Sequence, residues 1–261
     1  PVADASSGGF SSTYTLEANV DEYDIVKYNG STLAIAPTRS GCCFIAEPLA
    51  AANSLPPPPD ESPLPQIELF LTDPTSGTAS LQSVIDLDEG VNAEGMYLSE
   101  TGLQVLLSTA WWGVYGDQFT TPNGWLDEQV SLKSFDVTDP ENPSLTSELS
   151  IEGALVTSRR TGDEIHIISR HAPNIEGIVA YPQTEEEVAN NEAILAEASD
   201  EDVLPEIRID GDLVSPLTLD GCYRVDPEHP LAVPTPGDST ITTMITVSAS
   251  SGEILRSACT S

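Results

Sequence analysis

The sequence predicts an all-β protein made of antiparallel strands, with one inserted helix. Short apolar or alternating runs bounded by Gly, Pro, Asn and Asp recur along the 261 residues, a pattern typical of strands joined by turns. Helical periodicity is confined to one segment. Hydrophobic residues make up 39% of the chain, so there is enough apolar surface to form a folded core despite the high charge.

The segments with the clearest strand pattern follow one another at short intervals from residue 24 onward. In chain order they are 24–27, 32–36, 67–71, 81–87, 95–98, 103–108, 130–137, 145–151, 154–158, 164–169 and 240–247. The stretch 242–260 also predicts a strand, a turn and a returning strand.

These segments repeat as a four-stranded unit. Each unit starts with a hairpin that turns through a glycine, at Gly30, Gly102 or Gly162. An outward strand then ends in a turn that contains Pro74 or Pro140, and a fourth strand returns. Four antiparallel strands per unit are typical of β-propeller blades, of which a closed ring has about four to eight. We count two full blades and part of a third, which predicts an incomplete propeller.

The units are separated by insertions. We expect a flexible N-terminal segment at 1–18 and a partial propeller domain at 19–261, interrupted at 37–65, 110–128 and 172–239. The third insertion contains the predicted helix, 184–199. Thr184 and Glu187 form a capping box there, and Val188, Leu195 and Ala198 fall on one helical face.

The charge balance excludes two classes of partner. The chain has 42 Asp and Glu against 9 Lys and Arg, a formal net charge of -33. Nucleic acids and anionic lipids are bound by basic patches, and the only adjacent basic pair is Arg159-Arg160. We therefore expect no nucleic-acid binding. Because no run approaches the roughly 20 apolar residues of a membrane span, we also expect no membrane insertion.

The four cysteines, Cys42, Cys43, Cys222 and Cys259, lack the spacing of a zinc site. An even number favours disulfides in an oxidising compartment, with three connectivities open. Adjacent cysteines bridge each other only through a strained ring, so Cys42 and Cys43 are each expected to pair at long range. The candidates are Cys222 with Cys259, or a long-range link from the adjacent pair. An extracytoplasmic location follows: secreted, cell-surface or periplasmic.

Several ordered motifs carry a resemblance to a known family. The motifs are 20–27 (VDEYDIVK), 135–143 (FDVTDPENP), Ser158-Arg159-Arg160 with Asp163, and the predicted helix followed by Leu204-Pro205 and Cys222-Tyr223. Together they resemble bacterial secreted proteins that carry a β-propeller distantly related to WD repeats. The resemblance implies a propeller fold, an extracytoplasmic location and further blades in longer members. The resemblance implies no catalytic residue in this sequence.

Calcium is the candidate ion, because hard oxygen ligands are plentiful and extracytoplasmic media are rich in Ca²⁺. The candidate ligands lie in two short acidic runs: Asp21, Glu22 and Asp24 in the first, Asp210 and Asp212 in the second. Neither run has the twelve-residue loop of an EF-hand. The alternative interpretation is a solvated acidic surface.

The aromatic segment of the second insertion is the candidate ligand-binding site. Trp111, Trp112, Tyr115 and Trp125 supply large amphipathic surfaces between glycines. They predict a platform that stacks on carbohydrate or docks a protein. The alternative is that these rings cap the core between blades.

Two classes of function are left open. The first is a binding or structural module without catalysis, whose partners are other protein chains or the remaining blades of a longer propeller. The second is a metal-assisted hydrolase or lyase, although no Gly-x-Ser-x-Gly elbow is present. The two classes are distinguished by whether His171 and His229 lie within about 4 Å of clustered carboxylates. Arg159 and Arg160 are expected to pair with carboxylates within the chain.

Overall fold

The computed structural model describes residues 20–37, 64–109, 128–179, 182–223 and 240–260. Within these ranges the strands are β1 Val20–Asp21, β2 Val26–Tyr28, β3 Thr32–Ile35, β4 Gln66–Asp73, β5 Thr78–Asp86, β6 Asn92–Leu98, β7 Gly102–Ser108, β8 Gln129–Asp136, β9 Ser144–Glu152, β10 Ala154–Thr161, β11 Glu164–His171, β12 Ile207–Ile209, β13 Asp212–Val214, β14 Ile241–Ser248 and β15 Ile254–Thr260. The helices are α1 Glu185–Glu197 and α2 Asp200–Val203, and a 3-10 turn covers Leu219–Gly221.

Three antiparallel sheets contain the predicted four-stranded units. Blade 1 is β2-β3-β4-β5, blade 2 is β6-β7-β8-β9, and blade 3 is β10-β11-β14-β15. The expected all-β, incomplete propeller-like fold is therefore confirmed. The count of two blades and part of a third was too low, because the third and fourth strands of blade 3 follow the long insertion after β11 and complete that sheet.

Two of the blades gain additional strands. β1 pairs with β10, the first strand of blade 3. The chain then forms a bridge from Asp24 to Met96 in the first strand of blade 2 and continues into β2, the first strand of blade 1. The segment 20–28 thus contains the first strand of blade 1 and contacts the first strands of blades 2 and 3. At the opposite edge, the hairpin β12-β13 adds to β9 and makes blade 2 six-stranded.

Blade 2 is buried on both faces, because an apolar core lies on each side of it. In β7, Leu103, Val105 and Leu107 belong to the core shared with blade 1. Leu106 belongs to the core shared with blade 3, together with Tyr97 of β6. This two-sided burial explains the nearly continuous apolar run of β7, since alternating side chains point to opposite faces. Full burial of a leucine contributes about 1.5–3 kcal/mol.

The connections differ in length at the two ends of the blades. First and second strands, and third and fourth strands, are joined by short turns such as 162–163. Second and third strands are joined by the long segments 36–65, 109–128 and 172–240. Because strands alternate in direction and successive blades are joined by short links, all three long segments leave from the same end of the blades. We call this end the insertion rim and the opposite end the turn rim.

The predicted helix is present as α1, and Thr184 is its N-cap. The capping box with Glu187 is formed as predicted, with Glu187 N donating to Thr184 Oγ1 over 3.2 Å. The predicted apolar face is not buried, since Val188 and Leu195 are both exposed. None of the helices in the described part of the chain is long and apolar enough to span a bilayer.

The last described part of the third insertion crosses the edges of two blades. We call residues 200–223 the strap. Its hairpin pairs with β9 of blade 2, and Leu204, Ile207 and Leu217 are buried in the core between blades 2 and 3. A disulfide from Cys222 to Cys259 then joins the strap to β15, the last strand of blade 3. The strap therefore couples the fourth strands of the two blades.

Candidate functional site

A cleft of about 560 Å³ opens at the insertion rim, between the ends of β9 and β11 and the strap. Its lining is dominated by carboxylates, which come from the residue before β8, the end of β9, the segment after β11 and the strap. They are Glu128, Glu152, Glu176, Glu201, Asp202 and Glu206. A histidine, His171, and an arginine, Arg208, also line the cleft.

His171 and Glu152 form a pair in the lining of the cleft. His171 Nδ1 lies 3.8 Å from Glu152 Oε1, and the histidine side chain is only 5% exposed. Burial disfavours the imidazolium and lowers the pKa of His171, while the carboxylate of Glu152 partly opposes that shift. The lowered pKa favours the neutral imidazole in the folded protein.

Glu152 also attaches the strap to blade 2. Its Oε2 accepts a 3.0 Å hydrogen bond from Glu206 N, and its own backbone N donates to Glu206 O over 2.9 Å. The same residue thus contacts His171 with one carboxylate oxygen and the strap with the other. This double contact holds the carboxylate between His171 and the strap.

Gly153 brings the elements of the cleft close together. It is the single residue between β9 and β10, with φ of 110°. A Cβ at this position would lie 2.5 Å from Arg170 O and 3.1 Å from His171 Cα. Gly153 N also donates to Glu128 O over 2.7 Å. Only glycine therefore allows the chain to turn here against the strand that carries His171.

The cleft has an excess of negative charge. Arg208 is engaged by the strap itself, through a 2.8 Å contact with Glu206 Oε2 and a 3.2 Å hydrogen bond to Gly211 O. Burial raises the pKa of Glu128. Six carboxylates line the cleft against one arginine, which is itself engaged, so the arrangement suits a cationic group.

The predicted calcium ligands have protein partners. Asp21 Oδ1 lies 2.7 Å from Lys27 Nζ, and Asp24 Oδ1 accepts a 2.7 Å hydrogen bond from Ile25 N. Glu22 Oε1 lies 3.1 Å from Arg159 Nη2. In the described ranges, His, Cys, Asp and Glu side chains form no group of three or more placed to hold a metal ion. Calcium binding stays a prediction.

Asp210 lies in the turn of the hairpin β12-β13, and Asp212 is the first residue of β13. Asp210 has φ of 52° and Gly211 has φ of 88°, which is the conformation of an Asp-Gly two-residue turn between paired strands. Asp210 Oδ1 also accepts a 2.9 Å hydrogen bond from Glu148 N and so attaches the turn to β9. The strand patterns did not predict this hairpin, and the Asp-Gly dipeptide is the one sequence signal that could have indicated it.

The adjacent residues Arg159 and Arg160 have partners of different kinds. Arg159 forms the predicted ion pair, with Glu22. Arg160 instead donates from Nε to Gly162 O over 2.9 Å and from Nη1 to Gln104 Oε1 over 3.5 Å. It therefore stabilises its own hairpin and contacts blade 2 through neutral acceptors.

The cysteine and aromatic predictions are tested only in part. The disulfide between Cys222 and Cys259 is confirmed, and Tyr223 N donates to Cys259 O over 2.8 Å beside it. Cys42 and Cys43 lie outside the described residues. The candidate platform also lies outside them: Trp111, Trp112, Tyr115 and Trp125. Binding of carbohydrate by these rings stays a prediction.

Three consecutive four-stranded blades with apolar cores between them define a protein of the β-propeller class. The family model described as the Beta propeller domain matches residues 10–259. The chain therefore belongs to this family. Searches of curated proteins and of solved structures give no significant match.

Proposed function

We propose that the protein is an extracytoplasmic binding module whose acidic cleft binds a cationic ligand, the basic side chains of a peptide or of another protein. The observation that carries this proposal is the cleft of about 560 Å³ at the insertion rim, whose lining includes six carboxylates.

The distribution of loops supports the insertion rim as the binding face. All three long connections leave from it, whereas the turn rim has only short turns. Binding residues concentrate on loops that a rigid scaffold positions. The cleft lies between two of the three connections, since Glu128 ends the second and the strap belongs to the third.

Electrostatics favours a cation in two ways. The whole chain has a formal net charge of -33, which attracts cations over long range at low ionic strength. Within the cleft, His171 is held toward its neutral form by burial, which lowers its pKa, and Arg208 is paired with Glu206. Neither residue opposes a positive ligand.

The disulfide between Cys222 and Cys259 supports the extracytoplasmic location. Disulfides persist mainly in oxidising compartments, such as the periplasm or the medium outside the cell.

One observation favours a second candidate function, acid-base catalysis. His171 and Glu152 are 3.8 Å apart, and Glu128 beside them has a pKa raised by burial. Perturbed groups in a cleft are typical of acid-base sites. We place binding first because the imidazole is almost completely buried, whereas the carboxylates line the opening.

Calorimetric titration with a lysine hexapeptide tests the proposal. The variant Glu176→Gln/Glu201→Gln removes two exposed carboxylates of the cleft. The matched control Glu100→Gln/Glu141→Gln removes two exposed carboxylates in turns at the turn rim, so the net charge changes equally. We expect the Kd to rise about tenfold, equivalent to about 1.4 kcal/mol, for the cleft variant and less than about twofold for the control. Equal weakening in both would show that binding is nonspecific.

A further inference from the structure

A second pocket lies at the turn rim, between blades 2 and 3. Its volume is about 370 Å³, near the lower end of the range of about 300–1,000 Å³ for small-molecule pockets. The turns after β6 and β8 line it from blade 2, and the turns after β10 and β14 line it from blade 3. Because the lining comes from these two neighbouring blades, the pocket lies inside the arc and not on one of its end faces.

Arg160 brings a positive charge to this pocket that no carboxylate of the described chain neutralises. It donates to the neutral oxygens of Gly162 and Gln104 instead. In a chain with 42 Asp and Glu, an arginine without an acidic partner is unusual, and it makes the pocket attractive to an anionic group. Five other cations of the described ranges each form an ion pair: Lys27, Lys133, Arg159, Arg208 and Arg256.

A buried glutamine helps to position the guanidinium. Gln104 is only 3% exposed, and its Nε2 donates to Ala249 O of blade 3 over 3.0 Å. Its Oε1 accepts from Arg160 Nη1 over a long 3.5 Å, while Arg160 Nε donates to Gly162 O. Arg160 Nη2 has no hydrogen bond to any residue that the structure describes. The edge formed by Nη1 and Nη2 is therefore available for the two parallel hydrogen bonds that a carboxylate accepts.

A carboxylate, Asp163, lines the same pocket and forms no ion pair with Arg160. Its Oδ2 accepts hydrogen bonds from Ser248 Oγ over 2.7 Å and from Ser250 Oγ over 2.9 Å. Its Oδ1 has no hydrogen bond within the described segments. The bond from Ser248 lowers the pKa of Asp163, so the group stays ionised. Asp136 adds a second carboxylate to the lining. Fixed negative charge thus lies in one pocket with a fixed positive charge.

We propose that this pocket binds a small zwitterion, through the α-ammonium and α-carboxylate groups of a free amino acid. The ligand carboxylate would lie on the Nη1–Nη2 edge of Arg160, and the ammonium group would donate to Asp163 Oδ1. A simple cation would meet Arg160, and a simple anion would meet two carboxylates and the net charge of -33. A zwitterion matches both charges and has no net charge of its own. This site goes beyond the proposed cleft function and does not depend on it.

The rest of the lining favours a ligand with a small, polar side chain. Phe135 lines the pocket but is buried in the core between blades 1 and 2, so it supplies little apolar surface. We therefore expect glycine or serine to bind better than leucine or phenylalanine. The other lining residues are mostly small and hydroxylated, and include Ser99, Thr101, Gly102, Thr138, Thr146 and Ser250.

Thermal denaturation of the full chain with each standard L-amino acid at millimolar concentration provides the first test. At least one small polar amino acid should raise the Tm, since a ligand that binds the folded state stabilises it. Calorimetric titration then compares that amino acid with its N-acetyl derivative, which lacks the ammonium charge, and with its amide, which lacks the carboxylate. Each derivative should bind about 30-fold or more weakly. The proposal is overturned if no amino acid raises the Tm, or if either derivative binds as tightly as the parent.

Two variants assign the contacts. Arg160→Gln should weaken the amino acid about 30-fold or more but leave the Kd of its amide unchanged. Asp163→Asn should likewise weaken the amino acid but leave the Kd of the N-acetyl derivative unchanged. Because each variant is compared with a derivative on the same protein, a general loss of structure is recognised as equal weakening of both ligands.

Matched controls remove the same charges elsewhere. Arg256→Gln removes another arginine of blade 3, and Asp73→Asn removes a carboxylate that a serine, Ser76, also holds in a turn of blade 1. Both controls should leave the Kd of the amino acid unchanged. If Arg160→Gln weakened the amino acid no more than Arg256→Gln does, the guanidinium would not contact the ligand and the proposal would be wrong.

Discussion

Tyr97 donates a 2.8 Å hydrogen bond from its hydroxyl to Ser158 Oγ, and this bond links the first strands of blades 2 and 3. Both residues are buried, Tyr97 completely. Burial strongly raises the pKa of Tyr97, so its hydroxyl stays protonated and serves as the donor. Lys27 Nζ lies 5.8 Å from the centre of the same ring. The inner side of the arc is therefore held by specific polar contacts as well as by apolar packing.

The contribution of this bond can be measured by a double-mutant cycle. Tyr97→Phe leaves the buried Ser158 hydroxyl without its partner and should lower the free energy of unfolding by about 1–2 kcal/mol. Ser158→Ala should cost a similar amount, and the double variant should cost clearly less than the sum. Urea denaturation provides the three values. Additive losses would show that the bond contributes no coupling.

The turn at Gly153 gives a prediction with an internal control. Gly153→Ala combines a φ of 110° with a Cβ only 2.5 Å from Arg170 O. We expect a loss of about 3 kcal/mol or more, because backbone must move and positive φ is itself costly. Gly162→Ala has a φ of 61° and open space around the Cβ, so it should cost only about 1 kcal/mol. Similar losses measured by urea denaturation would contradict the close-contact argument.

Much of the fold could be predicted because its signals are local. Strands such as β11 show alternation of buried Ile165 and Ile167 with less buried neighbours, and α1 shows its capping box at Thr184. The completed third blade was harder to predict, since a long insertion separates β11 from β14. The hairpin β12-β13 was missed because each strand has three residues, too few to show a period.

The cleft could not be predicted because its residues meet only in the tertiary structure. His171 ends β11 and Glu152 ends β9, and they become neighbours through the one-residue link at Gly153. With 42 acidic residues in the chain, no single carboxylate stood out in the sequence. The one usable signal was an isolated glycine between two predicted strands, which suggests close approach of backbone.

The disulfide predicts a large redox effect on stability. Cys222 and Cys259 are 37 residues apart, and the chain-entropy model assigns a loop of this size about 4 kcal/mol. Cys222→Ala/Cys259→Ala should therefore unfold at a lower urea concentration than the wild type without reductant. With reductant present the two should converge. A difference that persists under reduction would show that packing around Cys259, and not the crosslink, is responsible.

The buried imidazole of His171 predicts that stability falls in mild acid. Burial lowers the folded-state pKa of His171, whereas the unfolded value is about 6.5. The unfolded chain therefore binds a proton first as pH falls, so the stabilisation is present above about pH 6.5 and is lost below it, with a slope of at most about 1.4 kcal/mol per pH unit.

His171→Gln should flatten this dependence between about pH 6.5 and 5. Glu152→Gln should extend it to lower pH, because the carboxylate that favours the imidazolium is removed. Burial also raises the pKa of Glu128 in the same cleft, so the comparison is repeated with Glu128→Gln as background to separate its contribution. Urea denaturation at each pH provides the curves, and a slope unchanged in His171→Gln would assign the acid sensitivity to other groups.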